Sequence, residues 1–404
     1  MKMMANPAAN VRDEIAAESG VPEPAEKIWF HKTASAVIDA GRCVGCGGCI
    51  LACPSRSISV GTDGHPTLVR MCTGCSACWD FCPLAGLRVE RLARAGLDAD
   101  DDLGRVLAAY SARAVTPAPG AQDGGVVTEL LAALIESGEI DGAVVTRRLD
   151  AFHGTAFVAT TPEEVRAAAG SVYHQAQPLQ VLQRPLPPGV RRIAVVGTPC
   201  QLSVLAALRR FPWPLRRTAV DSVTLTFGLF CTRSFDPAAL MRAMLADGVD
   251  LSRVARLDVR DGTLTAVGHD GAVVAERSAR ELSAAALRGC DECADFAALA
   301  ADISVGNVGS DPGASTVLVR TEAGGEAWQA AGGALQAVPL PDLSPVARAA
   351  ARNRRRAEPN VERGFDPEGP MWISYPEHVA AYEGTDRAPT EPPPYRSHHY
   401  EVSC

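Results

Sequence analysis

Apolar residues recur along positions 121–148 in two rhythms, and the change of rhythm marks a helix followed by a strand. In AQDGGVVTELLAALIESGEIDGAVVTRR a glycine turn leads into apolar positions three and four apart from Val126 to Glu136, which predicts an amphipathic helix. Gly138 stops it, and the run Gly142–Thr146 predicts a strand. RRIAVVGTPCQLSVLAALRRF reads as a buried strand at Ile193–Val196, a tight turn, and a helix beginning near Pro199. VTLTFGLFC reads as a second buried strand ending at Cys231, while ADISVGNVGSD and STVLVRT read as two strands joined by a glycine-rich loop. From about residue 345 the periodicity is lost, and eight prolines between Ala357 and Cys404 predict an extended arm over the surface or a partner. No G-x-G-x-x-G is present, so a Rossmann dinucleotide site has no support.

Composition narrows the class. The 404 residues suffice for two or three domains with a sizeable core, and 47% hydrophobic against 21% charged residues reads as an ordinary soluble globular protein. A net charge of -8 gives no reason to expect nucleic acid as a partner. The basic run Arg352–Arg356 reads as a solvated helix face, with a docking patch for an acidic protein as the alternative. No apolar run approaches the ~18 residues of a membrane helix. The first 27 residues are polar and acidic without a signal-peptide core, so the cytoplasm is the expected location. In a reducing compartment 13 cysteines are read as metal ligands before disulfides.

Eight of them form two runs, RCVGCGGCILACP and MCTGCSACWDFCP, each of the form C-x2-C-x2-C-x3-C-P. That is the two-cluster ferredoxin signature, in which each fourth cysteine ligates the other cluster. Cys43, Cys46, Cys49 and Cys82 are thus expected to hold one 4Fe–4S cluster, and Cys72, Cys75, Cys78 and Cys53 the second. Thiolates at i, i+3 and i+6 can wrap three corners of a cubane, and Gly45, Gly47, Gly48 and Gly74 would let the backbone approach its sulfurs. Pro54 and Pro83 redirect the chain. Zinc, the alternative, prefers separated pairs to a triplet with a crossed fourth ligand.

Cys200 lies in GTPCQ at the expected start of a helix, where the dipole favours a thiolate. Cys231 ends a strand, and Cys290 and Cys293 form a C-x2-C. Inert buried thiols and a redox dithiol both remain open for these four, yet 13 cysteines divide into three sets of four with Cys404 left over, which favours a third cluster.

AQDGGVVTELL, GTPCQ, GLFCTRSF and CDECADFAALAADISVGNVGSD together resemble the coenzyme F420 hydrogenase/dehydrogenase beta-subunit family, over about residues 28–340 and in the family's order. That family includes 7-hydroxymethyl chlorophyll a reductase and the beta subunits of certain formate dehydrogenases. The resemblance implies an α+β or α/β iron–sulfur flavoprotein in which Cys200, Cys231, Cys290 and Cys293 ligate a cluster beside FAD. It further implies flavin contacts from Gln122, Asp123, Gly124, Gly125 and Thr128, from Ser171, Tyr173 and Thr198, and from Asp302, Gly306, Asn307 and Gly309. A glycine-rich loop feeding a helix N-terminus also suits a phosphate. Many relatives carry a basic residue where this chain has Val172; His174 is the nearest titratable replacement and the candidate proton donor. The resulting domain plan is a tail (1–27), a two-cluster ferredoxin-like module (28–92), a linker (93–120), an α/β domain for FAD and a 4Fe–4S cluster (121–344), and a proline-rich arm (345–404).

Three functions fit this plan. One is an oxidoreductase passing electrons between three 4Fe–4S clusters, FAD and a hydride partner, coenzyme F420, to reduce an organic acceptor. Another is a ferredoxin-dependent reductase of a bulky organic substrate, like the chlorophyll reductase. The last is a non-catalytic electron-transfer subunit of a larger complex. The final substrate is not specified, and a homo-oligomer is compatible with all three.

Overall fold

The structure is a computed structural model, and it describes residues 29–74, 77–85, 102–210 and 218–364. Cys75, Cys404, the tail 1–27 and the chain beyond 364 lie outside the described residues. The cysteine-rich module is built from short pieces: a helical turn α1 (Phe30–Thr33) continuing into a wider turn at Ala34–Asp39, α2 (Gly48–Leu51), the antiparallel pair β1 (Ile58–Val60) and β2 (Pro66–Leu68), and α3 (Ala77–Asp80). Its own small core gathers Phe30, Ala34, Ile38, Ile50, Ile58 and Leu68.

The larger part centres on β3 (Ala108–Ala114), β4 (Gly142–Arg148), β5 (Gly154–Ala159), β6 (Ile193–Gly197), β7 (Val223–Leu229), β11 (Ile303–Gly306), β12 (Ser315–Val319) and β13 (Leu335–Pro339). They form an eight-stranded sheet in the order β13-β3-β12-β11-β7-β6-β4-β5. The middle strands β11, β7, β6 and β4 run parallel; β5 on one side and β12, β3 and β13 on the other are antiparallel additions. A second, three-stranded sheet follows from β8 (Val254–Arg260), β9 (Thr263–Gly268) and β10 (Val273–Ser278), with β8 at its edge.

Local chemistry sets the helix ends. Helix α4 (Val126–Glu136) starts after Gly125 and ends before Gly138, both in the left-handed region at φ +64° and +74°. Helix α5 (Pro162–Ala167) is capped by the Thr161 side chain and led by a proline. Helix α6 (Pro199–Arg210) follows β6 at once, and α7 (Pro237–Ala246) is capped by Asp236. Helix α8 (Glu322–Ala330) completes the sheet layer.

Two parts of the domain plan need correction. Residues 108–114 of the expected linker are β3, an interior strand of the sheet; the alternation in AAYSARA is real but short. The expected arm begins instead with a helix, α9 (Ser344–Gly364). Val346, Ala350, Asn353 and Ala357, spaced four, three and four apart, are buried along it, a stripe that the arginines between them disguise. The module is also not a separate core. Val44, Leu51, Trp79, Phe81 and Leu84 pack in one cluster with Ile193, Leu202, Val204 and Leu205 of β6 and α6. The two parts share their apolar interior.

Candidate functional site

In an open α/β sheet the parallel strands deliver their following residues to one edge, where ligands bind. Here that edge receives Arg148 from β4, Thr198 and Cys200 after β6, Cys231 after β7, and Asn307 after β11. Cys200 is the second residue of α6. Cys231 is fixed by its own N–H, which donates to the Phe296 carbonyl (2.9 Å). Cys290 and Cys293 come from a 3₁₀ turn, Arg288–Glu292, and the residue after it.

All four thiols line one cleft, partly open to solvent, which Val44, Pro83 and Leu84 of the cysteine-rich module also line. Burial pushes the Cys200 and Cys231 thiols up, and the next influences on Cys231 are the thiols of Cys290 and Cys200. Hydrogen bonds reach the sulfurs: Ser234 N–H points to Cys290 Sγ (3.4 Å), and the Thr198 hydroxyl lies 3.3 Å from Cys200 Sγ. Four thiols lining one cleft, with one amide and one hydroxyl beside their sulfurs, fit a soft, thiolate-bound metal group.

The described cysteines of the two runs show the same chemistry. Burial raises the Cys46 thiol, with Cys82 the next cause, and raises Cys49 beside Cys46, Cys43 and Cys82. Cys82 is pushed up to about 12 by burial, opposed by the N–H groups of Leu84 and Ala85 and by Arg42. Cys82, from the second run, therefore faces the triplet of the first. Cys53, Cys72 and Cys78 meet in the module's small core. The amides of Gly45, Gly48 and Gly74 point to Cys43, Cys46 and Cys72 (3.4, 3.5 and 3.4 Å), and Ser57 N–H donates to Cys53 Sγ (3.2 Å). These residues fit two such clusters. The glycines serve a purpose beyond approach to sulfur: a Cβ at Gly48 would stand 2.7 Å from Val204 Cγ1, and one at Gly45 3.0 Å from Gln175 Cβ. They let the loop dock on α6 and on the 175–180 segment.

Cys46 is also the second influence on Cys200, so the two sets of thiols adjoin. A buried ion pair locks this junction. Arg42 donates from Nε to Glu292 Oε1 (2.7 Å) and from Nη2 to Glu292 Oε2, and it also donates to the carbonyls of Ala36 (3.0 Å) and Leu84 (2.8 Å). Gly289 makes the approach possible, since a Cβ there would meet the Arg42 carbonyl oxygen at 2.0 Å. Next to it, Gln201 Oε1 accepts from Thr198 N–H (2.8 Å), Gln201 Nε2 donates to Gln175 Oε1 (2.5 Å), and Gln175 Nε2 donates to Ser234 Oγ (2.7 Å). Arg42, Glu292, Gln175 and Gln201 were not singled out from sequence, although Arg42 precedes Cys43 and Glu292 lies within the C-x2-C.

The residues expected to face a flavin gather around the edge strand β8. Gln122 donates to the Leu257 carbonyl (2.9 Å) and accepts from Ser171 N–H (2.6 Å). The Tyr173 hydroxyl accepts from Val259 N–H (2.8 Å), and Asn307 donates to the Val259 carbonyl (3.0 Å). Asp123 pairs with Arg260 (2.5 Å). Burial pushes Tyr173 up to about 12. Two buried polar atoms in this region, Arg148 Nη1 and Asp258 Oδ1, have no hydrogen-bond partner, which fits a polar ligand between the glycine turn and β8. Thr128 lies in the first turn of α4.

Several of the expected contacts serve the protein itself. A Cβ at Gly124 would meet the Ala112 carbonyl oxygen at 2.4 Å, and one at Gly306 the Phe230 ring at 2.3 Å. Gly309, at φ +100°, packs against Thr316 and Val346. Asp302 is a correction: it precedes β11, at the opposite end from the ligand edge, and its carboxylate accepts from Thr226 N–H (2.8 Å), Thr226 Oγ1 (2.7 Å) and Thr321 Oγ1 (2.7 Å). His174 Nε2 lies 2.8 Å from the Gly154 nitrogen and 3.2 Å from the Gly154 carbonyl oxygen, so the ring is engaged with the backbone there, and burial lowers its pKa. It pins the start of β5.

Among the described residues no helix is long and apolar enough to cross a membrane. Residues 36–88 match the 4Fe-4S dicluster domain, 109–183 the coenzyme F420 hydrogenase/dehydrogenase beta subunit N-terminal model, and 190–342 its C-terminal model. The chain is 30% identical over 60% of its length to the coenzyme F420 hydrogenase subunit beta of Methanothermobacter thermautotrophicus, of which 88% is covered. It is 30% identical over 72% of its length to the coenzyme F420-dependent sulfite reductase of Methanocaldococcus jannaschii, covering 46% of that longer protein. Among solved structures, a chain of the F420-reducing NiFe hydrogenase complex from Methanosarcina barkeri superposes with a TM-score of 0.61 at 28% identity, over 66% of this chain and 95% of that one. With the matched segments, the crossed cysteines and the shared edge in agreement, the chain belongs to the coenzyme F420 hydrogenase/dehydrogenase beta-subunit family and carries a 4Fe–4S dicluster domain at its N-terminal side.

Proposed function

We propose that this protein is an F420-linked iron–sulfur flavoprotein oxidoreductase that carries three 4Fe–4S clusters and FAD and reduces an organic acceptor. The observation that carries the proposal is the convergence of Cys200, Cys231, Cys290 and Cys293 on one cleft walled by residues that flank Cys43 and Cys82. Cys43, Cys46, Cys49 and Cys82 would hold one cluster, Cys53, Cys72, Cys75 and Cys78 the second, and the cleft thiols the third. FAD would lie along the Gln122–Gly125 turn, Ser171, Tyr173 and Asn307, with Arg148 as the nearest unsatisfied donor. Bound there, FAD supplies the exchange between a two-electron hydride partner and single-electron centres.

The chain's own residues prepare that exchange. Arg42 and Glu292 tie the module to the C-x2-C turn, and the Gln175–Gln201 amide pair ties the start of α6 to the segment that packs on the module. Gln122, Tyr173 and Asn307 hold β8 beside the glycine turn. The names of the two F420-linked relatives support F420 as the hydride partner.

Anaerobic mixing of the purified protein with reduced F420, reduced ferredoxin or NADH, followed by flavin absorbance, tests the proposal. Bleaching by reduced F420 is expected, and bleaching by NADH alone overturns the assignment. A second reading, an electron-transfer subunit of a larger complex, is favoured by the exposure of Met71 (80%) and Trp29 (42%) beside the Cys72 loop. Under it, reduced F420 leaves the isolated flavin oxidised until a partner subunit is added.

A further inference from the structure

We infer that helix α9 is a strap tying together two of the loops that supply the thiols of the four-cysteine cleft, and that Arg356 is a positioning residue whose charge tunes the metal group held there. The inference rests on the third-cluster proposal above and concerns residues beyond the segment matched to the family, which stops at residue 342.

The strap is made by two residues on one face of α9. Asn353, 2% exposed, donates from Nδ2 to the carbonyl of Cys231 (3.2 Å). One turn later Arg356 Nη2 donates to the carbonyls of Thr232 (2.9 Å) and Cys290 (3.0 Å). A single guanidinium therefore ties the loop after β7 to the turn of the C-x2-C. These loops are far apart in sequence and supply three of the four cleft thiols.

The charge is directed as well. Arg356 Nε lies 3.7 Å from Asp291 Oδ1, and Arg233 Nη2 lies 3.2 Å from the same atom. Two guanidiniums thus flank one buried carboxylate near the thiols of Cys231, Cys290 and Cys293; Asp295 lines the same cleft, so Arg356 is one of the cations that offset its carboxylates. Four thiolates around an iron–sulfur core form an anionic group that becomes more negative on reduction. A fixed cation at this distance favours the reduced state, and at this depth it is only weakly screened by salt. Within the basic run Arg352–Arg356, Arg352 and Arg355 are exposed while the residues between them are engaged. Asn353 and Arg356 face inward, and Arg354 pairs with Asp102 (3.1 Å).

The test uses the full chain, purified anaerobically, as wild type, Arg356→Gln, Arg356→Lys and the control Arg354→Gln. Iron and sulfide are counted, and each centre is titrated potentiometrically with EPR detection. The wild type should hold about twelve irons. Arg356→Gln should make one centre harder to reduce by about tenfold in its oxidised-to-reduced ratio at fixed potential, about 59 mV for one electron. The other two centres should not move, Arg356→Lys should restore most of the shift, and Arg354→Gln should change nothing. Three unshifted centres in Arg356→Gln would overturn the inference. Should Arg356→Gln retain only about eight irons, Arg356→Lys decides: recovery to about twelve supports the charge, and iron still near eight overturns it. A wild type with only about eight irons refutes the third cluster itself, a separate failure.

Discussion

The described cysteines of the module and the four of the cleft achieve similar surroundings by opposite means. In the module the thiols are neighbours in sequence, and loops of a few residues with glycines at φ +62° (Gly45) and +66° (Gly74) bring them together. In the cleft each thiol arrives from a different piece of the fold: a helix start, a strand end, a 3₁₀ turn and the residue after it, with α9 closing over two of these pieces. Local clustering is encoded by spacing. The second kind of site exists only once the sheet has formed, so it inherits the stability of the whole protein.

That contrast can be broken most sharply by Cys290→Ser. One third of the iron should be lost, from about twelve to about eight per chain, while the EPR signals of the module's centres persist. Loss of all iron would mean that the two sets are a single unit of assembly. Glu292→Gln comes next, because it leaves the Arg42 guanidinium buried against a neutral amide. Removing one member of a buried pair costs about 3–5 kcal/mol, to be read from denaturant unfolding. A loss below about 1 kcal/mol would show that the carbonyls of Ala36 and Leu84 alone hold the arginine.

Gly48→Ala probes the shared core from the module's side. Its Cβ would press on Val204 at 2.7 Å, and overpacking of this kind costs about 1–3 kcal/mol. A companion Val204→Ala should recover part of the loss if the contact is the cause. The smallest effect concerns His174, whose pKa is lowered by burial, with the neighbouring His153 acting in the same direction and Gly154, Asp150 and Asp236 opposing. Its folded value lies below the unfolded one near 6.5, so the unfolded chain binds the proton first. Stability should therefore fall as pH drops below about 6.5, and His174→Gln, which can still accept from Gly154, should flatten that decline. An unchanged slope would remove His174 as its source.

Much of this was legible in the chain. Helix α4 runs from Val126 to Glu136 as its periodicity indicates, because its glycine boundaries and apolar stripe agree. Strand β6 and the start of α6 follow the same logic. Helix α9 was hidden because small alanines and one asparagine, not large apolar residues, form its buried stripe. The Arg42–Glu292 pair was hidden for a different reason: a charged residue normally reads as surface, and only the fold reveals that two of them neutralise each other inside. Asp302 misled for the same reason, since a carboxylate beside a glycine-rich loop looks like a ligand contact until its strand partners are known.

The distribution of the cleft along the chain has a bearing on biosynthesis. All the module's cysteines have been synthesised once Cys82 is made, whereas Arg356 follows roughly 270 residues later, which at about 5–20 residues per second is tens of seconds. The apolar face of the module that α6 covers, around Leu51 and Trp79, must wait through part of that interval without its partner. The newborn chain thus passes through a stage with its metal-binding loops complete and its interior unfinished. During that stage iron delivery and protection from aggregation have to be managed together.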